Sequence, residues 1–110
     1  MLGGMKSMSD VKTWTKKEIA KRTAKKIDEN PLHVEKVISA TFTTLREVMA
    51  EANPEIRIEI RDFGVLEVKT TRPKPKARNP KTGEIVYVPA RRKTHFKPGQ
   101  ILKKELSQPL

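Results

Sequence analysis

The apolar positions of this 110-residue chain first recur with the period of a helix. Ile19, Ala20, Thr23, Ala24 and Ile27 fall on one face at about 100° per residue. Thr15 to Glu18 spells T-K-K-E, the capping-box pattern, so a helix is expected to start at Thr15. Lys17, Lys21 and Lys25 lie opposite at i, i+4 spacing, where like charges slightly weaken a helix. They read as a solvated polar face, with a subsidiary anion contact as the alternative. Asn30-Pro31 ends this helix and can begin the next. Val34, Val37, Ile38, Thr41, Phe42, Leu45, Val48, Met49 and Ala52 then fill one broad arc, opposite Lys36, Ser39, Thr43 and Glu47. Asn53-Pro54 closes that segment. The two helices are expected to pair, and the width of the second apolar arc calls for a further packing partner.

The period then changes to 2. Ile56, Ile58 and Ile60 alternate with Arg57, Glu59 and Arg61. Asp62-Phe63-Gly64 makes a hairpin turn, and Leu66 and Val68 face inward on the return strand. The letters D-F-G also occur in protein kinases, but no glycine-rich loop or catalytic loop accompanies them here. After Val68 the apolar alternation stops. Thr70 to Arg78 carries Pro73 and Pro75, which suit an edge or an extended arm. The chain turns between Asn79 and Gly83 and returns through Ile85 to Val88. "FKPGQILKKEL" reads as a short closing helix, with Pro98 near its start and Ile101, Leu102 and Leu106 on its apolar side. The expected class is α+β: two N-terminal helices, a β-hairpin extended into a long β-ribbon arm, and a short C-terminal helix.

Composition adds that the core is small, with 35% apolar and 34% charged residues. A projecting arm contributes little burial, so dimerisation is the expected source of the remainder. Residues 1–12 read as a flexible extension, 13–106 as the folded domain with its arm at about 70–90, and 107–110 as a tail. The net charge of +11 is concentrated: from Arg72 to Lys97 nine Lys/Arg face one acid, Glu84, a local charge of +8. A field of one sign calls for a polyanion. Nucleic acid is the first candidate and an anionic membrane the second. Membrane binding is the weaker reading, because neither helix pairs a basic face with bulky interfacial anchors. No apolar run is long enough to span a bilayer. The chain has no Cys, which excludes thiolate chemistry and fits a reducing compartment.

Enzymatic constellations are not legible. His33 and His95 have no companions at metal-ligand spacing and read as structural or surface residues. A metal-assisted hydrolase built on Glu59 and Asp62 is set aside on the same ground. No catalytic residue, metal or cofactor is expected. The arm "KARNPKTGEIVYVP" is more informative. Its basic residues can neutralise phosphates, and an exposed proline ring at the tip can open a step between stacked base pairs, which bends the duplex. Equally, Pro80 can simply rigidify a turn, since N-P-x-T-G is ordinary turn chemistry. On these residues alone the two readings are even.

"RNPKTGE" at Arg78 to Glu84, followed by "VPARR" and "FKPG", resembles the HU/integration-host-factor family of bacterial nucleoid proteins. "VEKVISATF" and "DFGVLEV" fit the same pattern in order, and the resemblance runs from about Thr13 to Leu106. It implies an intertwined dimer, of identical or related subunits, whose two β-ribbon arms embrace double-stranded DNA in the minor groove. The family is itself a standard example of the minor-groove wedge, so the assignment of Pro80 as the intercalating residue rests on resemblance. The implied DNA-binding set is Arg72, Lys74, Lys76, Arg78, Asn79, Pro80, Lys81, Arg91, Arg92, Lys93 and Lys97. The implied dimer core is Phe42, Leu45, Met49 and Phe63. The implied role is bending or compaction of DNA in the cytoplasmic nucleoid, without a membrane partner. Four features depart from the pattern: Asp62 replaces a usual glycine, Ala77 replaces a common one, Pro73 and Pro75 are additional, and the N-terminal extension lies outside it. The rival reading is an RNA-binding structural protein with a basic arm, which predicts recognition of RNA shape and no bending of duplex DNA.

Overall fold

Thr15 does start the first helix. In this computed structural model, which describes residues 11–110, α1 runs Lys16–Ile27 and the Thr15 hydroxyl accepts from the Glu18 N–H at 3.4 Å while donating to the Glu18 carboxylate at 3.2 Å. Asp28 ends it in the left-handed region at φ 54°, its N–H returning to the Ala24 carbonyl. Asn30 then caps the next helix through its side-chain oxygen, 2.8 Å from the Leu32 N–H. Pro31 occupies the first turn, where its missing N–H costs nothing, and α2 continues to Ala50. The expected extension at residues 1–12 falls largely outside the described residues.

The chain divides into two compact units between Arg46 and Glu47. The core of the first is Ala20, Ala24 and Val34, with Ile38 packed against it. These are small side chains, so the cluster buries little area. Lys17, Lys21 and Lys25 are exposed on its outer side. Like-charge pairs at this spacing cost about 0.2–0.5 kcal/mol each.

The second unit holds two sheets. β1 (Ile56–Ile60) and β2 (Gly64–Thr70) form the expected hairpin, with Ile58 opposite Leu66 and Ile56 opposite Val68. Asp62 occupies its turn at φ 63°. Asp tolerates that conformation better than most residues with a Cβ, which accounts for an acid where the resembling family has glycine. Gly64 is required by close approach: a Cβ there would stand 2.4 Å from the Lys97 carbonyl oxygen and 2.7 Å from the Phe96 ring. That ring in turn packs on Phe63, centroids 5.1 Å apart.

β3 (Lys74–Arg78) and β4 (Ile85–Val88) form the separate two-stranded arm. One strand was not expected. β5 (Arg92–Pro98) pairs antiparallel with β2 along its whole length, giving the order β1-β2-β5. "FKPG" therefore ends a strand rather than opening a helix, and α3 begins only at Gln100, running to Leu106. β5 carries no apolar alternation because all seven of its residues are exposed in the chain. Its order comes from main-chain pairing with β2.

Glu55 extends the hairpin by accepting from Thr70 twice, from the backbone N–H at 2.9 Å and from the hydroxyl at 3.1 Å. The backbone bond and then the hydroxyl bond hold its carboxyl below the ordinary value of 4.5, against the opposing effect of desolvation and with the weakest contribution from the charge of Lys69. The folded state thus favours the carboxylate. Its contribution is complete above 4.5 and is lost as pH falls through the depressed folded value. Glu55→Gln should therefore lower the urea midpoint at neutral pH. The gap from the parent protein should narrow as pH falls below 4.5 and close once the depressed folded value is passed, and a gap constant with pH would contradict this.

Candidate nucleic-acid interface

The arm tip is built from its own backbone and short polar side chains. The Asn79 N–H donates to the Glu84 carbonyl and the Gly83 N–H to the Asn79 carbonyl, both at 2.7 Å. The Asn79 side-chain oxygen accepts from the Lys81 N–H at 2.9 Å, spanning Pro80. Thr82 accepts from the Glu84 N–H at 3.3 Å, and the Arg78 guanidinium donates to the Gly83 carbonyl at 3.3 Å. Gly83 adopts φ 75°, which a side chain would strain. Pro80 contributes to none of these bonds, and its ring is exposed.

Behind the tip, Arg78 pairs with Ile85 and Ala77 with Val86, but Lys74 pairs with Val88, so the register shifts by one residue. This places Pro75 and Lys76 in an irregularity opposite Tyr87. A bulge is where a strand tolerates a proline without losing a ladder bond. Pro73 lies between β2 and β3, again outside either ladder. At the arm's base, the Thr71 N–H donates to the Arg91 carbonyl at 2.7 Å, and the Arg91 N–H donates to the Thr71 hydroxyl at 3.0 Å.

Arg72, Lys74, Lys76, Arg78, Lys81, Arg91, Arg92, Lys93 and Lys97 are all exposed. Among the described residues the ion pairs are Arg57 with Glu59 and Lys69 with Glu67, so none of those nine is neutralised. Asn79 is half-buried, its side chain committed to the turn. β5 sorts its basic residues by face. Lys93, His95 and Lys97 stand opposite Lys69, Glu67 and Val65 of β2, while Arg92 stands opposite Thr70 on the other face. The Arg92 guanidinium donates to the carbonyls of Ala50 and Ala52, each at 2.8 Å. It satisfies free carbonyls at the end of α2, where a cation is favoured. Arg92 thus has structural partners far along the chain, whereas the Arg78 guanidinium bonds only within the tip.

Sequence reading missed Lys69. It is directly opposite Lys93, beside a shallow cavity of about 300 Å³ that Thr70, Thr71 and His95 also line. Like charges opposed across a ladder are destabilising unless an anion lies between them. Lys69 lies just past Val68, where the apolar alternation stops, and its neighbour across the sheet was invisible until β5 was placed. Glu67, next to it, is buried, with one carboxylate oxygen lacking a hydrogen-bond partner and Lys69 Nζ 3.8 Å away. Lys69 and Glu67 therefore partly offset each other, leaving Lys93 and Lys97 as the uncompensated charges of this face.

The residues of the implied dimer core are poorly covered within one chain. Phe42 is 62% exposed, Phe63 47%, and Leu45 and Met49 are half-buried. No large side chain is fully buried among the described residues. Nor could any group of three His, Cys, Asp or Glu among them hold a metal ion, and no described helix is long and apolar enough to cross a membrane.

Residues 14–107 match the family model described as bacterial DNA-binding protein. The chain is 34% identical over 98 residues to the probable DNA-binding protein HU of Chlamydia trachomatis, covering 88% of this chain and 94% of that protein. It is 40% identical over 90 residues to integration host factor subunit beta of Methylococcus capsulatus, covering 81% and 90% respectively. The Anabaena HU–DNA cocrystal structure superposes with a TM-score of 0.74, covering 87% of this chain and all of that one, at 24% identity. That likeness establishes the fold.

Proposed function

The chain belongs to the bacterial DNA-binding protein family, with HU and integration host factor subunits among its relatives, and from that premise we propose that it is an architectural protein of the nucleoid that bends duplex DNA. The observation that carries this reading is an exposed, self-supporting tip that offers Pro80 without using it, on an arm whose basic residues have no acidic partners. Arg72, Lys74, Lys76, Arg78, Lys81, Arg91, Lys93 and Lys97 neutralise phosphates. Asn79 positions the tip for the minor groove, and Pro80 opens a base step. Affinity then comes chiefly from the backbone and falls steeply with salt, and any site preference comes from deformability. The exposed apolar residues of α2, together with Phe63, form the core of a dimer with an identical or related chain. The domain responsible spans 13–106. An RNA-binding role finds no support among these relatives.

Titration of the purified chain against random and intrinsically bent duplexes, with fluorescence-transfer readout of the bend, tests the reading. Binding without bending on every duplex would refute it.

Arg91 and Arg92 separate two effects. Arg91→Ala should leave stability within about 0.5 kcal/mol and lower the slope of log K against log salt by roughly 0.9. Arg92→Ala should cost about 1–3 kcal/mol of stability, because two carbonyls lose a charged donor. Chemical denaturation and salt titration of both variants check this, and equal behaviour would remove the distinction.

A further inference from the structure

We propose that the outer edge of β4 pairs antiparallel with the β4 edge of a second copy of this chain, joining two arms into one four-stranded ribbon. The arm is a two-stranded sheet, so among the described residues each of its strands has one unpaired edge. The two edges differ. β3 is guarded by Lys74, Lys76 and Arg78, with Pro75 among them and Pro73 before them, and these residue types keep an edge from pairing. β4 reads Ile-Val-Tyr-Val, with no charge and no proline from Ile85 to Val88. Ile85 and Tyr87 are 62% and 64% exposed, and contact with phosphate or a base step uses neither. A β-branched and aromatic strand with a bare edge is a template for another strand.

The backbone fixes the register. The Asn79 N–H donates to the Glu84 carbonyl, so Glu84 turns its main chain toward β3. Alternation along the ladder then turns Val86, the partner of Ala77, inward as well, and points the N–H and carbonyl of Ile85 and Tyr87 outward. A two-fold axis at Val86 sets Ile85 of each copy opposite Tyr87 of the other, and each such pair exchanges both of its N–H···O bonds. Ile85 and Tyr87 share one face of β4, so the contact gathers both residues of both copies into one apolar cluster. Aromatic residues opposite β-branched ones are favourable cross-strand neighbours. Glu84, the only acid from Arg72 to Lys97, comes opposite Val88 of the second copy, whose own partner is Lys74. The acid of each arm thus lies in one row with a lysine of the other. Pro89 stands at the next outward position and, lacking an N–H, ends the ladder. This matched register, apolar on apolar and acid toward lysine, selects a second copy over an unrelated strand. Given the dimer proposed above, each protein presents two arms, and the pairing propagates as an open chain of dimers.

The test uses the full-length protein, which has no native Cys, at about 0.3 M salt, where repulsion between basic arms is screened. Val86 meets its own copy at a non-hydrogen-bonded position, where Cα atoms stand about 4.5 Å apart, within disulfide reach. With glutathione disulfide as oxidant, Val86→Cys should link chains at least about tenfold faster than Lys81→Cys at the exposed tip. Tyr87→Pro removes an outward N–H and leaves the bonds of the arm itself in place. Added to Val86→Cys, it should slow linkage by about tenfold or more. In sedimentation the parent's mass should rise with concentration without a plateau, and Tyr87→Pro should hold it constant. Unchanged hydrogen-exchange protection of the Asn79 and Gly83 N–H groups establishes that the tip of this variant is intact. Linkage of Val86→Cys no faster than that of Lys81→Cys, or undiminished by Tyr87→Pro, would overturn the proposal. So would linked chains no heavier than the Tyr87→Pro protein, which would place the contact inside one dimer. A loss of duplex affinity beyond about twofold in Tyr87→Pro would assign the edge to DNA and also overturn it. A parent that plateaus at the mass of two chains, with Tyr87→Pro at one, would strike the dimer reading and leave the arm pairing standing.

Discussion

Phe42→Asp is expected to leave no folded protein at micromolar concentration. Within one chain Phe42 is 62% exposed, so a monomer should accept the aspartate with a change of about 0.5 kcal/mol or less. In a dimer that covers the α2 face, the same carboxylate is buried without a partner, at a cost of several kcal/mol. The private core cannot absorb such a loss. Among the described residues the buried apolar ones are Ala20, Ala24, Val34, Ala52 and Val68, none of them large. Light scattering and circular dichroism over a range of concentrations provide the readout. Phe42→Ala is the graded companion, expected to cost about 3–5 kcal/mol and to make the melting temperature depend more steeply on protein concentration. A folded Phe42→Asp monomer with the parental melting temperature would end the dimer reading.

Pro80→Ala should reduce bending of intact duplex well beyond its effect on binding. The tip geometry makes this separable. The bonds from Lys81 to Asn79, Gly83 to Asn79 and Asn79 to Glu84 do not involve the Pro80 ring, and proline has no N–H to lose. Alanine should therefore leave the tip ordered and the charges of Arg78 and Lys81 in place. What disappears is the rigid apolar wedge. Opening a base step costs a few kcal/mol, and without the wedge that cost is unmet on intact DNA. On nicked or gapped duplexes the step is already open, so the variant should recover most of the bend. If Pro80 only stiffened the turn, affinity would fall alike on all substrates and the bend would not change. Fluorescence-transfer bend angles at matched occupancy distinguish the outcomes, and full bending of intact duplex by Pro80→Ala would exclude the wedge.

Much of this molecule is local and was legible as such. The Thr15 and Asn30 caps, the turn through Asp62-Phe63-Gly64 and the closed tip at Asn79–Gly83 are each made by residues a few positions apart, through bonds their side-chain types favour. The period of 3.6 and then of 2 placed both long helices and the first hairpin, because burial of one face leaves its mark on every turn or every second residue. The density of proline and lysine marked the arm for the opposite reason: such a segment has nothing to bury. Only the tertiary structure decided the rest. β5 is ordered by main-chain bonds to β2, and backbone groups are the same in every residue, so its sequence carried no sign of pairing. With that strand in place, Lys69 came to face Lys93, and the "FKPG" segment became a strand end. Arg92 stood in a basic run indistinguishable from its neighbours, yet its guanidinium reaches carbonyls 40 and 42 residues earlier in the chain. Charge can be read from composition, but which charges face a phosphate and which hold the fold depends on contacts between distant residues, and those exist only once the chain has folded.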